Sequence, residues 1–237
     1  SPSTSENTPS EENDQAAIAR RFKSYYSRIL FYAFLSPQDE NSLSNIITTI
    51  DENARLAQNL GIEKVVLKEF QQLMSPYALG MLDNKILNMN SLDADDSIPQ
   101  NERLMTAIRS FGKISAAEVF TPQYIANKMS KELVSDSFVS EFKQRPKAII
   151  DLASRSGVFL LEVYKMLLES GVDSDLIRGQ LFAVVTSPIA YEFTRKTFES
   201  MGWPVENIVV PDQFDSIKLA TKLKEDALRE INGFYGR

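Results

Sequence analysis

Three short apolar runs, each followed by a helical periodicity or a turn, constrain this chain more than any other feature. Lys147-Ala-Ile-Ile-Asp151 leads through a turn containing Gly157 into Phe159, Leu160, Val163, Tyr164, Leu167 and Leu168, closed by Gly171. Leu181 to Val185 leads through Thr186-Ser187-Pro188 into a helix carrying Phe193, Thr197, Phe198 and Met201 and stopped by Gly202. Ser187 suits an N-cap and Pro188 the first helical position. Ile208 to Val210 then precedes Asp212. Strand, helix, strand, helix, strand with short connections predicts a parallel sheet covered by helices, with ligands beyond the carboxyl ends of the strands. The junctions to watch are Asp151 to Gly157, Val185 to Ser187 and Pro211 to Phe214.

The preceding half reads differently. Residues 1–14 carry almost nothing to bury and are expected to be a disordered tail. Residues 15–112 are expected to form a helical domain of five helices. Ile18, Phe22, Tyr25, Ile29 and Ala33 mark the first, and Leu43 through Leu60 the second, stopped by Gly61. Val65 to Met74, Tyr77 to Asn90 and Asn101 to Phe111 mark the others, and Ser91 to Gln100 reads as an exposed loop. Residues 113–237 are expected to be the α/β domain.

Composition removes whole mechanisms. With no cysteine and no histidine, the chain can build no disulfide, no Cys/His zinc site, no thiol nucleophile and no Ser-His-Asp triad. Asp95-Asp96 and Asp173/Asp175 lack a full oxygen-ligand spacing, so no metal site is expected. The 26 Lys and Arg against 32 Asp and Glu give a net charge of −6, which argues against a simple phosphate-binding basic module. Phe22, Tyr25, Tyr26, Phe31, Tyr32 and Phe34 beside Arg20, Arg21, Lys23 and Arg28 are read mainly as core aromatics. The sequence holds no membrane-length apolar run and no signal peptide pattern, so a cytoplasmic location is expected and no membrane partner.

Glu118-Val-Phe-Thr-Pro-Gln-Tyr-Ile-Ala-Asn-Lys-Met129 predicts a helix opened by Thr121 and Pro122, with an apolar face of Ile125, Met129 and Leu133. Further on, Ile150-Asp-Leu-Ala-Ser-Arg-Ser-Gly-Val-Phe-Leu160 resembles the Asp-Pro-Ala-Cys-Gly-Ser-Gly-x-Phe-Leu signature of methyltransferases that modify adenine N6 in DNA, in restriction-modification systems. Leu181 to Pro188 is similar to that family's Leu-x-Gly-Ile-Asp-Ile-x-Pro segment, and Pro211-Asp-Gln-Phe214 resembles the segment whose acid faces the cofactor's adenine. The matched stretch runs from Glu118 to Phe214. The resemblance implies an α/β fold: an N-terminal helical domain followed by a partial Rossmann-like parallel sheet that depends on S-adenosylmethionine. It implies that Phe120, Thr121 and Pro122 fold over the methionine end of S-adenosylmethionine, and that Asp151, Ser154, Ser156, Gly157, Asp212 and Phe214 complete the cofactor site.

The departures fall where the chemistry belongs. Arg155 replaces a glycine of the turn, and Val185 stands where the family's acid grips the cofactor ribose, so weak S-adenosylmethionine binding is expected. Replacing Val185→Asp and Arg155→Gly is then expected to tighten it. The family's catalytic Asn/Asp-Pro-Pro-aromatic segment has no counterpart; the nearest stretch is Asn232-Gly-Phe-Tyr235, which reads better as a helix end before Gly233. Only three strands precede the end of the sequence, so the resemblance implies the cofactor-binding part of a longer enzyme, inactive alone. The expected function is methyl transfer from S-adenosylmethionine to adenine in DNA, with DNA and other restriction-modification domains or subunits as partners. The alternative is a catalytically dead methyltransferase-like scaffold or DNA-docking module of a restriction complex.

Overall fold

The computed structural model describes residues 9–111 and 120–211. Two compact units divide between Ser91 and Leu92. The first is helical: α1 (Pro9–Leu35), α2 (Leu43–Thr49), α3 (Ala54–Leu60), α4 (Lys64–Leu73) and α5 (Pro76–Asn90). The second opens with α6 (Gln100–Phe111), α7 (Gln123–Leu133) and α8 (Asp136–Gln144), then continues through β1 (Ile149–Ser154), α9 (Val158–Glu169) and α10 (Ser174–Arg178). Its last described elements are β2 (Leu181–Val185), α11 (Pro188–Met201), a 3-10 turn at Val205–Asn207 and β3 (Ile208–Val209). The protein is thus mixed α/β, mostly helical, with one small sheet. None of the described helices is long and apolar enough to cross a membrane.

In the first unit α1 packs on α3 and α5, and α2 on α4 and α5. The aromatics Phe31, Tyr32 and Phe34 near the end of α1 are fully buried, as core residues. Helix α1 starts at Pro9, so residues 9–14, expected in the tail, lie in its opening turns. The single helix expected from Leu43 to Leu60 is two. Asn53 sits between them with φ −112° and ψ 39°, and its side-chain amide donates to the Tyr32 hydroxyl at 2.9 Å and Gln38 Oε1 at 2.9 Å. Those tertiary bonds hold a turn that propensity alone does not reveal. Gly61 ends α3 in the left-handed conformation, as its position suggested.

The second unit is built around a parallel sheet of order β1-β2-β3. Helix α9 lies between the sheet and the pair α6 and α7, and accordingly is apolar nearly all round, burying Val158, Leu160, Leu161, Val163 and Leu167. Helix α6, read from sequence with the helical domain, belongs here: Leu104, Met105 and Ile108 join the core of Ile149, Leu181, Ala183, Val185, Phe198 and Trp203. Helix α11 agrees with its sequence signals at both ends. The Ser187 hydroxyl accepts from Ala190 N at 3.0 Å, Pro188 opens the helix, and Gly202 closes it at φ 66°. Helices α8 and α10, opened by Ser135 and Asp173 as side-chain N-caps, were not anticipated.

Candidate functional site

Strand β1 carries one residue more than β2 near its carboxyl end. Asp151 is opposite Ala183 but Ser154 is opposite Val185, so the register shifts between them. The extra residue turns Ser154 inward, where its hydroxyl is 3.1 Å from Thr194 Oγ1 on α11 and both residues are fully buried. Ser156 is also buried, and its carbonyl accepts from Thr197 Oγ1 at 2.7 Å. The left-handed conformation in this turn stands at Gly157, φ 80°, which opens α9; a Cβ there would lie 3.0 Å from Thr197 Cγ2. Glycine is needed twice over, for backbone conformation and for the close approach of α11. Ser154, Ser156 and Gly157 thus lock the turn onto α11.

Asp151 is half-buried and its carboxylate accepts from Ala153 N at 3.1 Å. Burial pushes this carboxyl above the usual carboxylate range, against the lowering effect of the bonds from Ala153 N–H and the Ser154 hydroxyl.

Across from the turn, Phe120 lays its ring edge-on to Phe193 at 5.1 Å between centroids. Thr121 is not the helix cap expected of it. Pro122, at φ −57° and ψ 138°, is extended and occupies the cap position, so α7 begins at Gln123. Of the expected face only Leu133 packs, half-buried, against the core: Ala126 and Ser130 point inward, whereas Ile125 and Met129 are among the exposed residues. Small residues let α7 approach α9 closely, and α9 supplies the apolar bulk.

Phe120, Thr121, Pro122 and Gln123 join Met105, Ile108 and Arg109 of α6 and Val158 of α9 around a pocket of about 230 Å³. Val158, the residue after Gly157, is the one lining residue from the β1–α9 junction, and neither Asp151 nor Gly157 lines the pocket. Ser154 and Ser156 do not line it. Asp212, Phe214, Asn232 and Tyr235 lie outside the described residues, as does Glu118.

Val185 is fully buried, on the sheet face that also carries Leu181 and Ala183. An acid at this position would enter the apolar core instead of reaching a ribose. The expectation that Val185→Asp restores a cofactor contact is therefore corrected: the side chain points into the core.

Four linked polar residues, of which Arg109 and Gln123 line the pocket, were not anticipated. Glu162, in the apolar middle of α9, is 1% exposed; it accepts from Gln123 Nε2 at 2.9 Å and Asn127 Nδ2 at 3.2 Å. Gln123 Oε1 in turn accepts from an Arg109 guanidinium N–H. The sequence signal was a lone charge inside Phe-Leu-Leu-Glu-Val, a position that needs polar partners when buried. Among the described residues no group of acidic side chains is arranged to hold a metal ion. Comparison with known proteins gave no match: no family model, no curated protein and no solved structure is significantly similar to this chain.

Proposed function

We propose that the second unit is the cofactor-binding part of an S-adenosylmethionine-dependent methyltransferase module of the DNA adenine-N6 type, working with DNA and with other restriction-modification domains. The observation that supports it is the shared pocket: Phe120, Thr121 and Pro122 face Val158, next to Gly157, at the carboxyl end of a parallel strand. Ligands of open α/β sheets bind at that end, and the strand order β1-β2-β3 is compatible with one half of a doubly wound sheet. The reaction proposed for the complete module is transfer of the sulfonium methyl group to an adenine taken out of the duplex, which depends chiefly on positioning. In this chain the part played by the residues is to hold the cofactor: the pocket takes one end, and Asp151 lies within β1, before its register shift.

A second reading has its own observation. Of the residues the resemblance assigns to the cofactor, Asp151, Ser154, Ser156 and Gly157 do not line the pocket, which favours a module that keeps the fold as a scaffold and has lost cofactor affinity. Ligand-observed NMR with S-adenosylmethionine separates the two. Saturation transfer to the cofactor, abolished by Thr121→Ala with Phe120→Ala, supports the first reading; no transfer at millimolar cofactor leaves the scaffold reading.

A further inference from the structure

The pocket at residues 105–109, 120–123 and 158 is smaller than the roughly 300 Å³ at the low end of sites that enclose a whole ligand. It takes one arm of a ligand. Met105, Ile108, Phe120, Pro122 and Val158 make its walls apolar, and Arg109 is the charged side chain at its margin. An apolar slot with a cation at the rim fits an aliphatic arm that ends in an anion.

The exposed Arg109 guanidinium donates to Gln123 Oε1. The carboxylate of Glu162 has no hydrogen to give, so the Gln123 amide must turn its NH₂ group toward Glu162 and its oxygen toward Arg109. Glu162 is itself fixed by burial and by Asn127. The guanidinium has five N–H donors, of which Gln123 Oε1 engages the one described here, and a held fork suits a two-oxygen partner.

We propose that Arg109 recognises the anionic end of the arm that enters this pocket, and that Glu162 positions Arg109 through the Gln123 amide. The inference rests on the cofactor reading above and adds a specificity determinant to it. The arm is then the amino-acid part of S-adenosylmethionine, and the anion its carboxylate.

The test compares two probes by saturation-transfer NMR titration of the full chain: S-adenosylhomocysteine, which carries the carboxylate, and 5′-methylthioadenosine, which lacks it. The wild type should bind the first about tenfold or more tightly than the second, as expected for a charge-assisted bond. Arg109→Met should erase that preference and leave 5′-methylthioadenosine binding unchanged, and Arg109→Lys should restore part of it. Arg109 is exposed, so these variants keep the fold, which Trp203 fluorescence verifies. Glu162→Gln should narrow the preference without altering 5′-methylthioadenosine affinity; an unchanged ratio overturns the positioning role. If Arg109→Met weakens both probes alike, or neither, the role of Arg109 is overturned and the cofactor reading survives. If the wild type binds neither probe, the cofactor reading falls, and Arg109's role with it.

Discussion

Replacing Val185→Asp distinguishes the burial seen here from the ribose-facing position that the sequence resemblance implies. The wild-type side chain is fully buried against the core that contains Leu181, Ala183 and Trp203. Removing it forfeits about 1.5–3 kcal/mol of apolar burial, and leaving a carboxyl there without a designed partner costs about 1–3 kcal/mol more. The sum, about 2.5–6 kcal/mol, is a large fraction of the roughly 5–15 kcal/mol that holds a domain together. The deficit also depends on pH. Burial would raise the folded pKa of the new carboxyl above its unfolded value of about 3.9, so between those two values the folded state binds more protons than the unfolded one. Stability therefore falls as pH rises through that window, and below it the deficit shrinks toward that of Val185→Asn. Urea melts followed by the emission of Trp203 suit this measurement, because it is the only tryptophan, is 3% exposed and lies in the affected core. A Val185→Asp protein within about 1 kcal/mol of wild type at neutral pH, binding S-adenosylmethionine more tightly, would refute the argument and return Val185 to the ligand.

The buried hydroxyl pair gives a second measurement: Thr194→Val should cost about 0.5–1.5 kcal/mol, the net worth of one hydrogen bond, because Ser154 keeps its bond to Asp151, and a double-mutant cycle with Ser154→Ala in urea melts should show the two sites coupled. Gly157→Ala should lower stability by at least about 1–2 kcal/mol, from the positive φ alone, with the Thr197 contact adding to it; a neutral effect in a thermal melt would show that the turn relaxes freely. For Asp151, whose folded carboxyl is raised by burial, the folded state holds its proton to higher pH than the unfolded one. Wild type should therefore lose stability relative to Asp151→Asn as pH climbs from the ordinary carboxylate range through that raised value, and a pH-independent difference would contradict it.

Local chemistry was legible in the sequence wherever a residue acts on its own neighbours. Ser187, Pro188 and Gly202 bound α11 as read, because capping needs only a hydroxyl, a fixed φ and a tolerated left-handed residue within one turn. Strand β2 ran from Leu181 to Val185 as expected, since a short apolar run between turn signals leaves few alternatives. Of the Phe-Thr-Pro segment and the glycine turn, which the resemblance brings together, only the first lines the pocket, with Val158 next to the turn.

What only the tertiary structure decided were the directions in which side chains point. The extra residue in β1 turned Ser154 toward Thr194, and periodicity cannot register a bulge because it assumes an unbroken alternation. Asn53 split a continuous helical pattern by bonding to Tyr32 and Gln38, partners 21 and 15 residues away. Helix α7 buried Ala126 and Ser130 in place of its larger apolar residues, since close approach to the bulky α9 outweighed the area that Ile125 and Met129 offered. Val185 went into the core, and the Arg109, Gln123 and Glu162 chain crosses three helices. Each of these outcomes depends on a neighbour remote in sequence, and the chain specifies such neighbours only by folding.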